Sequence, residues 1–383
     1  LTPKAKLAGE ALFAIEAVAF ARRQLWGVVI APLKKRNKKQ TKELDMHPNV
    51  FEDRRMTMVA LIFLVISMIH LSLTVGQAIA LSGNISAHDP SMIKVGGCYY
   101  VFSTGDNTYH KGNIQIRKSC NLSGGWTLIG TVFNSIPSWI TAQLGTTPSN
   151  LWAPDINFIN GKYYLYYAGS TFGSNRSVIG LATASNIEGP WTDEGMVIKS
   201  TSSNNYNCID PEIAWTITNG QRAEMWLVFG SYWDGIKMRQ LNSSTGKLST
   251  TKTTLYSLAS RGGGAIEAAS IAWRNGYYYL FVSFDKCCSG TSSTYNIRVG
   301  RATSITGPYY DKSGKRMLDD GGTKILGNSG NMIGPGGQDI MLDGSTYRMV
   351  YHYYDANADG AFKMAIRNLS WSSDGWPSAG TME

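Results

Sequence analysis

The sequence predicts an all-β fold, a five-bladed β-propeller over residues 81–383, preceded by an N-terminal segment outside it. Three observations predict this. Charged residues make up only 16% of the 383-residue chain, against 41 Gly and 20 Tyr, a mixture suited to short strands joined by turns. Aromatic and β-branched runs such as Tyr163-Tyr164-Leu165-Tyr166-Tyr167 and Tyr277-Tyr278-Tyr279-Leu280-Phe281-Val282 are bounded by Gly, Asn or Lys, as hairpin-linked strands require. A degenerate unit recurs five times, and internal repetition of this kind marks a radial or stacked array.

Each unit opens with an acid, followed by a short apolar strand, a turn and an aromatic strand. The first is His88-Asp89-Pro90-Ser91-Met92-Ile93, with Gly96-Gly97 and Tyr99-Tyr100-Val101-Phe102. The second is Ala153-Pro154-Asp155-Ile156, leading to the Tyr163 run. Ile209-Asp210-Pro211-Glu212-Ile213 leads to Met225-Trp226-Leu227-Val228-Phe229. Ile266-Glu267-Ala268-Ala269-Ser270-Ile271 leads to the Tyr277 run. Gln338-Asp339-Ile340-Met341 leads to Tyr347-Arg348-Met349-Val350-Tyr351. A second half follows in most units, a strand and then Gly-Gly-Trp, Gly-Pro-Trp, Gly-Pro-Tyr or Gly-Trp; in the third unit it is blurred around Ile236-Lys237-Met238. The acids at 89, 155, 210, 267 and 339 are spaced by 66, 55, 57 and 72 residues, suitable for four-stranded blades with generous loops. A five-blade ring sets each first strand against the axis, so the five acids are expected to converge near one end of it. A β-sandwich is the alternative, but it would not repeat an acid at the head of every unit.

The front end reads differently. Residues 1–55 hold 12 Lys and Arg against 6 Asp and Glu, a net +6 of the chain's +9, leaving +3 for the other 328 residues. So diffuse an excess does not describe a nucleic-acid-binding surface. Arg54-Arg55, the apolar run Met58 to Val75 and the small-x-small site Ala78-Ile79-Ala80 read as a secretory signal over 56–80. A membrane anchor is the alternative, because the run approaches the roughly 20 residues that span a bilayer; a buried helix is the third reading. The chain begins at Leu1, and translation is expected to start at Met56 or Met58, making 1–55 a gene-model artefact or foreign segment of unknown role.

Secretion would permit disulfides and glycans. The five cysteines, Cys98, Cys120, Cys208, Cys287 and Cys288, show no metal-type spacing, and their odd number leaves at least one thiol unpaired. Adjacent Cys287 and Cys288 are either a vicinal disulfide or two thiols. Sequons stand at Asn84, Asn121, Asn175, Asn242 and Asn368.

Carboxylates gathered round one channel repel one another, so some stay protonated near neutral pH. That supplies what glycosidic cleavage needs: an acid that protonates the leaving oxygen and a carboxylate that activates water or attacks. Trp152, Phe172, Tyr206, Trp233, Phe284 and Tyr295 are candidate platforms for sugar rings, with blade packing the alternative for each.

His88-Asp89-Pro90-Ser91, Trp152-Ala153-Pro154-Asp155, Ile209-Asp210-Pro211, Ala265-Ile266-Glu267-Ala268, Gly334-Pro335-Gly336-Gly337-Gln338 and Tyr351-His352-Tyr353-Tyr354-Asp355 occur in that order. The set resembles glycoside hydrolase family 43 and, within it, the endo-1,5-α-L-arabinanases, over about residues 85–380. The resemblance implies an inverting hydrolase of α-1,5-linked arabinofuranose in plant pectic arabinan. Asp89 matches the general base, Glu267 the general acid, and Asp210 the residue that orients the acid and tunes it; an ionised Asp210 would hold Glu267 protonated. In an inverting site Asp89 and Glu267 are expected roughly 6.5–9.5 Å apart. Asp155 matches no catalytic role and is read as structural or substrate-binding. His352 matches a histidine that faces a metal ion in the central channel, usually taken as calcium; calcium prefers oxygen, so most of its ligands would be water. His88 is read as a support for Asp89. Glu267 is followed by Ala268-Ala269 where relatives commonly have proline. No organic cofactor, nucleic acid or stable membrane partner is expected, and a monomer is. An exo-acting arabinofuranosidase or β-xylosidase on the same fold, and a non-catalytic lectin-like propeller, are the competing readings.

Overall fold

The computed structural model describes residues 78–79, 81–106 and 112–379. The extension 1–55 and nearly all of the 56–80 signal segment lie outside the described residues.

Five four-stranded antiparallel sheets follow one another along the chain. Blade one is Ser91–Val95, Cys98–Ser103, Gln115–Ser119 and Thr127–Thr131; blade two is Leu151–Ile159, Lys162–Gly169, Ser177–Ala184 and Thr192–Ser200. Blade three runs from Glu212–Thr218 to Tyr256–Ala259, and blade four from Ile266–Arg274 to Thr323–Leu326. Blade five takes Met332–Asp343, Thr346–Asp355 and Ala361–Asn368 from the end of the chain. Its fourth strand is Ala78–Ile79, paired with Arg367 and Ile366. The propeller thus begins three residues before the boundary expected at 81, using a stretch read as the signal's cleavage site. A short helix, Ser138–Leu144, packs Ile140 and Leu144 between blades one and two.

The aromatic strands form because both faces of each blade are covered. Side chains alternate along a strand. On the second strand of blade two, Tyr163, Leu165 and Tyr167 pack toward blade one, while Tyr164 and Tyr166 pack toward blade three. Three further interfaces are built the same way, closing with Val101 and Met92 of blade one against Val350 and Ile366 of blade five. Each such side chain contributes about 1.5–3 kcal/mol by burial, so the core is five wedges between blades.

Two tiers of residues line the axis. In the upper tier one residue per blade adopts a left-handed backbone: Asp89 (φ 48°), Ala153 (39°), Asp210 (54°), Ala268 (52°) and Gly337 (58°). Strand register slips beside three of them, between Trp152 and Asp155, Glu267 and Ser270, and Gly336 and Asp339. Bulges of this kind re-aim side chains at the rims of sheets.

Two residues further along each strand is a second, closed tier. The amide of Ile156 donates to Ser91 Oγ at 3.1 Å and that of Ile213 to Asp155 Oδ2 at 2.8 Å. Ile271 donates to Glu212 Oε1 at 3.3 Å, Ile340 to Ser270 Oγ at 3.3 Å, and Met92 to Asp339 Oδ2 at 2.8 Å. Every blade is therefore tied to the next by one side chain and one backbone N–H, and the fifth is tied to the first.

Candidate active site

The five acids do not form one circle. Asp89 and Asp210 belong to the upper tier, Glu267 immediately precedes its blade-four member Ala268, and Asp155 and Asp339 belong to the lower tier, two residues out of register with Asp89 and Asp210. The structural counterparts of Asp89 in blades two, four and five are Ala153, Ala268 and Gly337. Asp155 is buried and accepts from the Ile213 amide, the Asn157 side chain and the Ser91 hydroxyl. This corrects its placement among substrate-binding residues: its oxygens are committed to joining blades.

The upper three are half-buried and electrostatically linked. Asp89 is held well below the usual carboxylate range. Burial alone would raise it, but the adjoining His88, by charge and hydrogen bond, then His352 and Thr104, outweigh burial. Its Oδ2 lies 2.7 Å from His88 Nδ1 and accepts from the Thr104 hydroxyl at 2.7 Å. Asp210 is pushed well up by burial and then by the charges of Glu267 and Asp89. Glu267 is also raised, by burial first, opposed by hydrogen bonds from Ser231 and Tyr295 and assisted by the charge of Asp89. Asp89 is thus the carboxylate, while the Asp210–Glu267 pair retains a proton. The Ala268 amide donates to Asp210 Oδ2 at 3.0 Å and links the upper parts of blades three and four.

Strand ends hold Glu267. Ser231 Oγ, just beyond the second strand of blade three, donates to Oε2 at 2.8 Å; Tyr295, just before the third strand of blade four, donates to Oε1 at 2.8 Å. Tyr295 was expected as a sugar platform. It is 2% exposed, and its hydroxyl is what it offers the site. Thr104 and Ser231 carried no role in the sequence reading; the signal was a Ser or Thr following the aromatic strand in the first four units.

Other expected platforms scatter. Trp152 adjoins Ala153 in the upper tier and anchors its indole N–H on Asn150 at 2.8 Å. Trp233 lies half-buried two residues from Ser231, at the flank of Glu267. Phe172 is 84% exposed on a blade-two loop. Tyr206 packs edge-on against Phe229, 6.0 Å between centroids. Phe284 is a correction: it is 1% exposed, inside the wedge between blades three and four, with Arg261 and Arg298 over its ring at 4.2 and 4.9 Å. No sugar can stack on it. The Asn175 sequon is corrected too, since that side chain is buried and its amide nitrogen donates to the Asn204 carbonyl at 2.8 Å.

His352 is fully buried and stacks on His88 at 3.6 Å. Burial, and then the charge of His88, hold it well below its ordinary value. Its Nδ1 accepts the Asp89 amide at 3.1 Å, and its Nε2 has no hydrogen-bond partner among the described residues. A neutral ring accepting at Nδ1 carries its proton at Nε2, so that orphaned atom fits an oxygen acceptor such as water better than a bare cation. His88, Asp89 and His352 offer ligand atoms within 4.8 Å of one another. Two disulfides, Cys98–Cys120 and the vicinal Cys287–Cys288, leave Cys208 free and buried.

The family model for glycosyl hydrolases family 43 matches residues 83–377. The chain belongs to glycosyl hydrolases family 43. This family-43 propeller is 49% identical over 300 residues to the extracellular endo-α-(1→5)-L-arabinanase 1 of Bacillus subtilis, covering 78% of this chain and 88% of that protein. It is 33% identical over 313 residues to an extracellular exo-α-(1→5)-L-arabinofuranosidase of Cellvibrio japonicus, covering 76% and 86%. Among solved structures, the native Bacillus subtilis arabinanase superposes with a TM-score of 0.69 at 48% identity, covering 78% of this chain and 98% of that one. The protein is a glycoside hydrolase.

Proposed function

We propose that the protein is a secreted endo-1,5-α-L-arabinanase that cleaves internal linkages of arabinan with inversion. The observation that carries this is two carboxyls held by separate sets of partners, Asp89 by His88 and Thr104 and Glu267 by Ser231 and Tyr295, with Asp89 pushed below its ordinary range and Glu267 above. Glu267 protonates the leaving glycosidic oxygen. Asp89 takes a proton from a water that attacks the opposite face of the ring. Asp210 keeps a proton close to Glu267 and, through the Ala268 amide, holds the turn that carries it. The endo reading and secretion draw support from the 49% identical relative, named an extracellular endo-arabinanase.

Product analysis on debranched arabinan, with xylan as control, tests the substrate and the mode; oligomers released early support endo cleavage, and arabinose alone would reverse it. Asp89→Ala and Glu267→Ala should each lose about 10³-fold in kcat while still binding oligosaccharide. Wild-type turnover in either would overturn the assigned roles, and wild-type protein that binds but never cleaves would make this a lectin-like module. An exo mode is the second reading, favoured by the resemblance to the exo-acting Cellvibrio japonicus protein.

His352 is proposed to face a calcium ion through the ion's hydration shell, by way of its buried Nε2. Such an ion would supply fixed positive charge near Asp89. Excess chelator should lower the melting temperature; an unchanged melt would remove the ion.

A further inference from the structure

Behind Asp89 a chain of hydrogen bonds ends in the vicinal disulfide. His88 Nδ1 lies 2.7 Å from Asp89 Oδ2, and His88 Nε2 lies 2.8 Å from the Tyr354 hydroxyl. That hydroxyl receives the backbone N–H of Cys288 at 2.9 Å. Ser293, on the same loop, also bonds it. Cys288 sits at φ 61°, a left-handed backbone that a non-glycine residue rarely adopts, and its side chain is tied to Cys287.

The proton directions along this chain are fixed by which groups can only donate. A backbone N–H donates, so Tyr354 accepts from Cys288. With the Ser293 hydroxyl also donating to it, its own single proton has two candidate acceptors, His88 Nε2 at 2.8 Å and Cys287 Sγ at 3.3 Å. A disulfide sulfur is a weak acceptor, and the proton goes to the imidazole. In the neutral form of His88, a ring that accepts at Nε2 carries its proton at Nδ1, where it donates to Asp89 Oδ2. A free thiol in place of the disulfide would change this, since Cys287 Sγ is also 3.8 Å from His88 Nε2 and an S–H could donate to either partner.

We propose that the Cys287–Cys288 turn, acting through Tyr354 and His88, orients Asp89 and fixes His88 in the tautomer that donates to it. Cys288, Tyr354 and His88 are then positioning residues. The inference rests on the reading of Asp89 as the general base. The turn belongs to residues 285–295, the connection between the second and third strands of blade four. The same connection ends in Tyr295, the donor to Glu267. One loop thereby holds both reacting carboxyls, one at each end.

The test compares kcat and KM on a linear arabino-oligosaccharide for wild type, Cys287→Ala/Cys288→Ala, Tyr354→Phe, the three changes combined, and Asp89→Asn. Loosening of the turn in the cysteine variant, which keeps the residue-288 amide, and loss of the hydroxyl in Tyr354→Phe are each expected to lower kcat about 10-fold, with KM within about twofold of wild type. Because the turn acts through Tyr354, the combined variant should be no slower than Tyr354→Phe alone. Cys98→Ala/Cys120→Ala, which removes the other disulfide, should keep wild-type kcat. Wild-type kcat in the cysteine variant, losses that multiply in the combined variant, or a change confined to KM would each overturn the proposal. Should the cysteine variant fail to fold, Tyr354→Phe with wild-type kcat does the same. Activity retained by Asp89→Asn would instead sink the base assignment, whereas an inactive Asp89→Asn beside unaffected cysteine and tyrosine variants would sink the positioning role alone.

Discussion

A β-carbon at Gly337 would stand 2.6 Å from Nδ1 of His352 and 2.5 Å from Oδ1 of Asp89. Gly337 is the blade-five member of the left-handed tier in which Asp89 and Asp210 are the acidic members. Its lack of a side chain leaves the space in which the Asp89 carboxylate and the His352 ring meet.

Gly337→Ala should therefore be worse than its size suggests. The new methyl has to displace Asp89 or His352, and its φ of 58° adds strain. A stability cost of about 1–3 kcal/mol is expected, with a fall in kcat well beyond what that cost explains. Denaturation and kinetics on the same sample check both; a destabilised variant with normal kcat would separate Gly337 from the chemistry.

The pH profile should be bell-shaped, and its alkaline limb should answer to Tyr295. Activity needs Asp89 ionised and a proton on Glu267. It falls in acid only as Asp89, held below the ordinary range, takes up a proton, and in alkali as the raised Asp210–Glu267 pair loses its own. The Tyr295 hydrogen bond opposes the rise at Glu267. Tyr295→Phe should move the alkaline limb to higher pH and lower kcat. A limb that stays put, measured on kcat/KM, would detach Tyr295 from the acid.

The lower tier should make the fold less stable as pH rises. Asp155 and Glu212 are both raised, by burial first and then by neighbouring carboxylates, and they hydrogen-bond each other. The folded state keeps protons that the unfolded chain gives up. Their stabilising contribution is whole below the ordinary carboxyl values and is lost as pH climbs toward the raised ones. Glu212→Gln keeps an oxygen for the Ile271 amide and supplies a permanent donor to Asp155. It should gain about 1–2 kcal/mol at pH 8 relative to wild type and little at pH 4, by urea denaturation. An equal effect at both values would show that the pair does not hold a proton.

Phe284 and Trp233 should separate packing from binding. Phe284→Ala is expected to cost about 3–5 kcal/mol of stability with KM unchanged. Trp233→Ala should raise KM for oligosaccharides and leave the melting temperature nearly intact. The reverse pattern would restore Phe284 as a platform.

The blades were legible because each strand is covered on both faces, which writes continuous aromatic runs between Gly turns. The trio proposed as catalytic, Asp89, Asp210 and Glu267, was legible only through a family resemblance. By spacing alone, Asp155 and Asp339 looked like partners of Asp89. They share a residue type with it but not a backbone position, and the positions that do correspond are Ala153, Ala268 and Gly337, whose shared property is a left-handed φ. A letter string records side chains and hides that angle. Ser91, Glu212 and Ser270 escaped for the same reason: Ser and carboxylates do one job in the lower tier, accepting an amide from the next blade, and differ in every other respect. Phe284 looked like a loop aromatic because it stands at a strand end near an acid, and only the arrival of Arg261 and Arg298 from elsewhere in the chain buries it.

The last of the five amide links joins Asp339 to Met92, 247 residues apart. Three links can form in the order in which the chain is synthesised, each as soon as its next blade exists, while the fourth, from Ile340 to Ser270, needs blade five as the fifth does. The fifth waits until most of the polypeptide has left the ribosome. Until then blade one has an uncovered flank, Val101 and Met92 among it, which Val350, Met364 and Ile366 later cover. A nascent or truncated chain lacking its final fifty residues would be a gapped circle with a greasy edge, and a natural client for chaperones.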